Sequence, residues 1–345
     1  MTSKERVKAA ISHQEPDRVP VFADFVPKVA RLLEKRYGVE KNVGVFLGND
    51  IVAAGIGFEN IKNESQEQTF VSRWGNTYSR VKNDVDEYME ITDYPLAGDE
   101  SKLDSYVTPD ASEQSQYDRI RSLVQEFGGE KLVAGACRQS ILETAWGIRG
   151  LEALMMDMLL NEDYTNALLD KVMQFPLEAC KIMIDIGVDM VWLGDDVGTQ
   201  RGMLISVDLW RKYLMPRLAF LIGEFRRVNP KIIITFHSCG NCHDVIGDLI
   251  EIGVDVLHAV QPLAMDPVEI KREFGDKITL FGGIDIQNLM PLGTREQIFE
   301  ESRRLIDGCK AGGGYIFSPA HYIQADTSLE NIQAFYDAAR EYGWY

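Results

Sequence analysis

From about residue 120 to its end, the chain alternates short apolar runs with longer amphipathic ones. That alternation restricts the fold more than any other feature. Lys131 to Ala136, Val188 to Leu193, residues 231–236, residues 254–260, Ile278 to Gly283 and Gly314 to Ser318 read as strands. Helical spacing fills the intervals: Ile120 to Phe127, Leu151 to Leu160, Thr165 to Ile186, residues 243–252 and 266–274, Arg295 to Lys310 and Leu329 to Tyr342. Val207 to Val228 reads as one or two helices with a break near Pro216. Repeated strand–helix units require a parallel sheet with crossover helices on its faces.

Upstream, Thr2 to His13 reads as a short helix and Val19 to Phe25 as a first strand. Lys28 to Tyr37 forms a helix ended by Gly38. Residues 44–120 are less regular, with a hairpin expected over Phe70 to Arg80. At 345 residues, the chain has the length of a single α/β barrel. The expected architecture is one domain over residues 1–345, a (β/α)8 TIM barrel with an irregular N-terminal excursion; an open doubly wound sheet is the second choice. The barrel is preferred because polar residues follow so many strands: Asp24, Arg138, Asp195, His237, Gln261, Asp285 and His321. Barrel enzymes place their chemistry at the C-terminal ends of the strands.

His237-Ser238-Cys239-Gly240-Asn241-Cys242-His243 follows the β-branched run Ile232-Ile233-Ile234-Thr235-Phe236. Imidazole and thiol bunched at a strand end suggest zinc. His237 and Cys239 lie two apart, so on extended backbone both side chains face one way. A third ligand is expected from His321, with Cys242 and His243 as alternatives; a catalytic zinc takes three protein ligands and keeps one exchangeable position. The alternative for His237 and Cys239 is a hydrogen-bonded imidazole and a packed thiol. Cys239 and Cys242 could also form a redox couple. Asp195 and Asp196 end another strand; adjacent acids suit acid–base work, though such a pair also suits a turn or helix cap. Arg138, Gln139, Gln261, Asp285 and Tyr322 are expected to line the pocket. Trp146, Trp192 and Trp210 suit either an aromatic wall or the core.

The net charge of −17 argues against nucleic acid or an anionic membrane as a partner. Residues 83–118 hold eleven acids against Lys102 alone, a solvated face or an excursion. The five cysteines form no secreted framework. The polar N-terminus lacks a signal-peptide core, and no apolar run reaches the ~18 residues of a membrane span. A cytoplasmic location is expected, where thiols stay reduced.

Several segments together resemble the uroporphyrinogen decarboxylase superfamily across nearly the whole chain. They are Lys4-Glu5-Arg6-Val7, Pro16-Asp17-Arg18-Val19-Pro20, Gly194-Asp195-Asp196, His237-Ser238-Cys239-Gly240, Gln261-Pro262, Phe281-Gly282-Gly283-Ile284-Asp285 and Pro319-Ala320-His321-Tyr322-Ile323-Gln324. The resemblance implies a (β/α)8 barrel with its pocket at the C-terminal face, and two chemistries. Uroporphyrinogen decarboxylases use no metal and bind a tetrapyrrole through an arginine-rich segment after the first strand. Here that place reads Asp24-Phe25-Val26-Pro27-Lys28-Val29-Ala30-Arg31, and the motif is absent. The other branch holds cobamide-dependent methyltransferases, including coenzyme M methyltransferases and O-demethylases. Those that use coenzyme M bind zinc through an H-x-C pair plus a later cysteine. His237 and Cys239 are similar to the pair, and His321 stands where the cysteine is expected. Two imidazoles with one thiolate make a harder site, which leaves room for a methoxy or methylamine donor.

This branch implies zinc, a cobamide and methyl transfer between a small donor or thiol and cobalt, with Asp195 or Asp196 positioning substrate or shuttling a proton. No Asp-x-His-x-x-Gly motif is present, so the cobamide is expected on a separate corrinoid protein. The alternatives are a tetrapyrrole decarboxylase and a non-catalytic tetrapyrrole- or corrinoid-binding barrel.

Overall fold

The structure is a computed structural model that describes residues 1–56, 68–82 and 87–345. Its first strand is β1 (Ile51–Gly55), followed by β2 (Thr69–Val71), β3 (Thr77–Lys82) and β4 (Glu87–Asp93). Then come β5 (Leu132–Cys137), β6 (Met190–Gly194), β7 (Ile233–His237), β8 (Val256–Ala259), β9 (Thr279–Ile284) and β10 (Tyr315–Pro319). Seven of these strands form one curled sheet in the order β1-β5-β6-β7-β8-β9-β10. Every pairing in it is parallel.

Helices cover the outside of this sheet, so both faces are apolar. β5 and β9 are buried at every position, as expected for parallel strands. One face gathers Ile51, Leu132, Ala134, Ala136, Met190, Trp192, Ile233, Val256, Phe281 and Ile316 into a cluster shared with Phe22 and Val7. Val7 belongs to the helix Ser3–Ile11, which bonds to the starts of two strands through Lys4 N–H to Glu130 O and Gly314 N–H to Ala10 O. That helix therefore plugs the N-terminal end of the sheet's concave side.

Residues 19–25, predicted as the first strand, make only single parallel bridges, Val21 to Phe317 and Phe25 to Ile323. Pro20 has no N–H to give to a ladder, but its carbonyl accepts from Phe317 N–H at 2.9 Å. Toward β1 the segment is held by side chains. Asn49 bonds both the N–H and the C=O of Ala23, at 2.9 and 2.8 Å. The Asp50 carboxylate accepts from Val21 N–H and from the guanidinium groups of Arg6 and Arg18. Arg6 also forms a two-pronged pair with Asp17 at 2.7 and 2.8 Å.

Other elements depart from prediction for local reasons. The expected helix over Thr165 to Ile186 is two helices, Glu162–Val172 and Gln174–Ile186, with Pro176 in the first turn of the second. Val207 to Val228 is a continuous helix with a wide π-turn at Trp210–Leu214, ending one residue short of Pro216. A proline cannot close the usual bond to the residue four back, and a wider turn absorbs the mismatch. Residues 243–252 begin as a 3-10 turn, His243–Val245, and become α-helical at Ile246–Glu251. The Phe70 to Arg80 hairpin exists and is widened by β4 into a three-stranded antiparallel sheet. Among the described residues no helix is long and apolar enough to cross a membrane.

Candidate metal centre

β7 delivers His237 as its last residue, and the chain then turns sharply through Ser238 to Asn241. Gly240 has φ +72°, and a Cβ there would sit 2.6 Å from the backbone of Gly198. The loop after β6 and the loop after β7 thus touch through two glycines, joined by Asn241 N–H to Thr199 O. Gln261 reaches over from the end of β8 and accepts the Gly240 N–H at 2.9 Å. These contacts fix the backbone that carries Cys239.

His237, Cys239 and His321 come together, each offering a ligand atom within 4.8 Å of the others. His237 Nε2 lies 3.5 Å from Cys239 Sγ. Tetrahedral zinc with ordinary Zn–N and Zn–S bonds sets that edge at about 3.6 Å. The donor chemistry and the spacing both fit zinc, with His237, Cys239 and His321 as the residues that would hold it. Burial pushes the Cys239 thiol far above its usual range, helped by the charges of Asp196 and Glu143. Burial also lowers His321 to about 4, with His237 and Arg138 adding to the effect. Its imidazole is therefore neutral, with a lone pair to give.

Asp196 stands beside this group. Its Oδ1 accepts the Cys239 N–H at 2.7 Å and lies 3.4 Å from His237 Nε2. Burial would raise its pKa, but the neighbouring His237 imidazole and the Cys239 N–H outweigh that and hold it below the usual carboxylate range. On the other side of the His237 ring, His258 Nδ1 lies 2.6 Å from His237 Nδ1. His258 packs edge-on to Trp192 and Phe281, with ring centroids 4.7 and 4.8 Å away. Burial drives its pKa well down.

The remaining predicted residues divide by what their polar atoms touch. Arg138 stacks between the rings of Trp192 and Tyr322, 4.8 and 4.7 Å from their centroids, and donates to the Tyr322 hydroxyl. Tyr322 in turn meets His321 edge-on. Asp195 takes the helix-cap alternative in this structure. It is 1% exposed, and its carboxylate accepts the N–H groups of Ile141 and Glu143 at the start of the helix Leu142–Arg149. Burial pushes its pKa up to about 7 against those hydrogen bonds. Asp285 likewise accepts from the backbone N–H groups of Gln287, Asn288 and Leu289, and Gln261 braces Gly240. These three were expected to act in the pocket; each commits oxygens to backbone amides.

The second-rank ligands fall outside the cluster. Cys242 is fully buried in the core, with its thiol pushed up to about 12 by burial. His243 is partly exposed and pairs with Glu273 at 2.9 Å. Of the tryptophans, Trp192 floors the site, Trp210 packs against Phe236 in the outer core, and Trp146 packs partly buried at the core's edge.

Comparison with known proteins bears on the family and the fold. Residues 84–342 match the family described as uroporphyrinogen decarboxylase. A methylated-thiol–coenzyme M methyltransferase of Methanosarcina mazei is 24% identical over 56% of this chain and 49% of its own length. A methylcobamide:CoM methyltransferase of the same organism is 24% identical over 65% of this chain and 62% of its own. The uroporphyrinogen decarboxylase of Crocosphaera subtropica is 22% identical over 64% and 61%. The alignments thus span from about half to just over three-fifths of these relatives. A solved methyltransferase from Methanosarcina mazei superposes with a TM-score of 0.74 at 18% identity, covering 99% of both chains, which shows a shared fold. With most of its length matched, the chain belongs to the uroporphyrinogen decarboxylase family.

Proposed function

We propose that this chain is a zinc-dependent methyltransferase that moves a methyl group between a small donor or thiol and a cobamide carried by a separate corrinoid protein. The cluster of His237, Cys239 and His321 carries the reading, because a decarboxylase of this family needs no metal ligands. The methyltransferases among its relatives support it. In the same reading, residues 19–26 act as the eighth position of a closed barrel, lodged between β10 and β1.

Zinc held by these residues would supply Lewis acidity, keeping a thiol ionised or polarising the atom that leaves the methyl group. Asp196 is the carboxylate placed to take or return a proton at Oδ1, beside His237 Nε2. Arg138, held flat between Trp192 and Tyr322, offers a fixed positive charge to an anionic part of the substrate. Phe22, Trp192 and Phe281 pack into a dry floor, which strengthens each charge interaction above it.

The test is a donor screen. Protein purified without a metal-chelating tag is assayed for zinc, then for methyl transfer to and from free cobalamin with methoxyaromatics, methylamines and thiols. Near-stoichiometric zinc and transfer from one donor class are expected. Full activity in metal-free protein would sink the mechanism. Decarboxylation of a tetrapyrrole without methyl transfer would return the chain to the other chemistry of its family.

A further inference from the structure

We infer that His258 is a positioning residue that accepts the Nδ1 proton of His237 and so leaves His237 Nε2 free to bind metal. The inference rests on the metal reading of the cluster and deepens it. Two Nδ1 atoms 2.6 Å apart must share one proton: two protons would collide, and none would set lone pair against lone pair. In the neutral rings that metal binding needs, the shared proton has two possible owners. If His258 owned it, neutral His237 would carry its proton on Nε2, facing Asp196 at 3.4 Å, and that nitrogen would have no lone pair for a metal. If His237 owns it, Nε2 is the lone-pair nitrogen, and it is the one 3.5 Å from Cys239 Sγ.

The geometry favours the second arrangement. The contact at Nδ1 is much shorter than the contact at Nε2, so a proton on Nδ1 makes the stronger hydrogen bond. His258 cannot turn away from it. Its ring is 3% exposed and wedged edge-on against Trp192 and Phe281. Metal-bound histidines generally donate their other N–H to an acceptor that fixes the ring and raises its basicity. Here that acceptor is a second imidazole, supplied by the neighbouring strand in register with the first.

Zinc affinity measured by competition with a chelator tests the assignment, using wild type, His258→Phe and His258→Asn. Phenylalanine keeps the packing and removes the acceptor, so affinity should fall roughly 10- to 100-fold. Asparagine places an oxygen near the former Nδ1 and should recover most of that loss. Nitrogen NMR of the zinc-loaded wild type, labelled at histidine, gives a second readout that no folding defect can imitate. It should show a protonated Nδ1 on His237 and an unprotonated Nδ1 on His258. Equal affinity in His258→Phe, or a proton on His258 Nδ1, overturns the inference while the metal reading stands. Failure of the wild type to bind zinc at all overturns the metal reading first, and the inference with it.

Discussion

Cys239 is the one soft donor in the cluster, and its partly buried thiol is held far from ionisation. A metal would take that thiolate as a ligand outright. Cys239→Ala should therefore abolish near-stoichiometric zinc while shifting the melting temperature by only a few degrees, as metal analysis and thermal unfolding together would show. Retained zinc with lost stability would instead assign the thiol to packing. His321 poses a different question, because an imidazole stands where the resemblance expects a cysteine. His321→Cys should keep zinc and raise activity with thiols relative to amine or ether donors, and His321→Ala should weaken zinc at least ~10-fold. The clustering of His237, Cys239 and His321 was legible because residue type carries the chemistry. Asp195, Gln261 and Asp285 were read as pocket residues because they follow strands. Their real partners are backbone amides, and for Asp195 those lie as much as 54 residues away, which position in the sequence does not announce.

The helix Leu142–Arg149 begins without a cap from its own flank; Ile141 offers no side-chain acceptor. Asp195 supplies one from the end of β6. Asp195→Ala should cost about 1–3 kcal/mol by leaving buried amides unpaired, with Asp195→Asn costing less because one acceptor remains. Denaturant melts would measure both, and an undiminished zinc content would separate this bracing role from metal binding. Gly240 makes a similar argument for a loop. Its positive φ and its contact with Gly198 leave no room for a methyl group, so Gly240→Ala should displace Cys239 and weaken zinc more than it lowers stability. Strands β5 to β10 were readable from buried apolar runs, several ending in glycine or a polar residue. β1 escaped notice because Ala53, Ala54 and Gly55 have weak strand propensity and its outer end is half-exposed. The proline-flanked segment over 19–25 read as a strand because its side chains are apolar, yet it makes only bridges.

At the scale of the molecule, the charged lock at Arg6, Asp17, Arg18 and Asp50 ties the N-terminal helix and the bridging segment to the start of β1. The Arg6 hydrogen bond holds Asp17 well below its usual range. A carboxylate lowered in the folded state contributes fully above about pH 4 and loses that contribution as pH falls toward its folded value. Asp17→Asn should thus lower stability at pH 7 by on the order of 1 kcal/mol. The gap from wild type should shrink steadily in acid, as urea melts at pH 7, 4 and 3 would reveal; a constant gap would remove the charge from the account. The Val21–Phe317 bridge has a further consequence, and it concerns time rather than energy. Residue 21 is made well before Phe317, with β1 to β9 synthesised between them. Throughout that interval the β1 edge and the bridging segment must wait without that partner. Contacts between such distant residues slow folding, and exposed strand edges invite mispairing. The sheet can grow from β5 onward as the chain emerges, but the bridging segment finds its partner only once β10 is free of the ribosome.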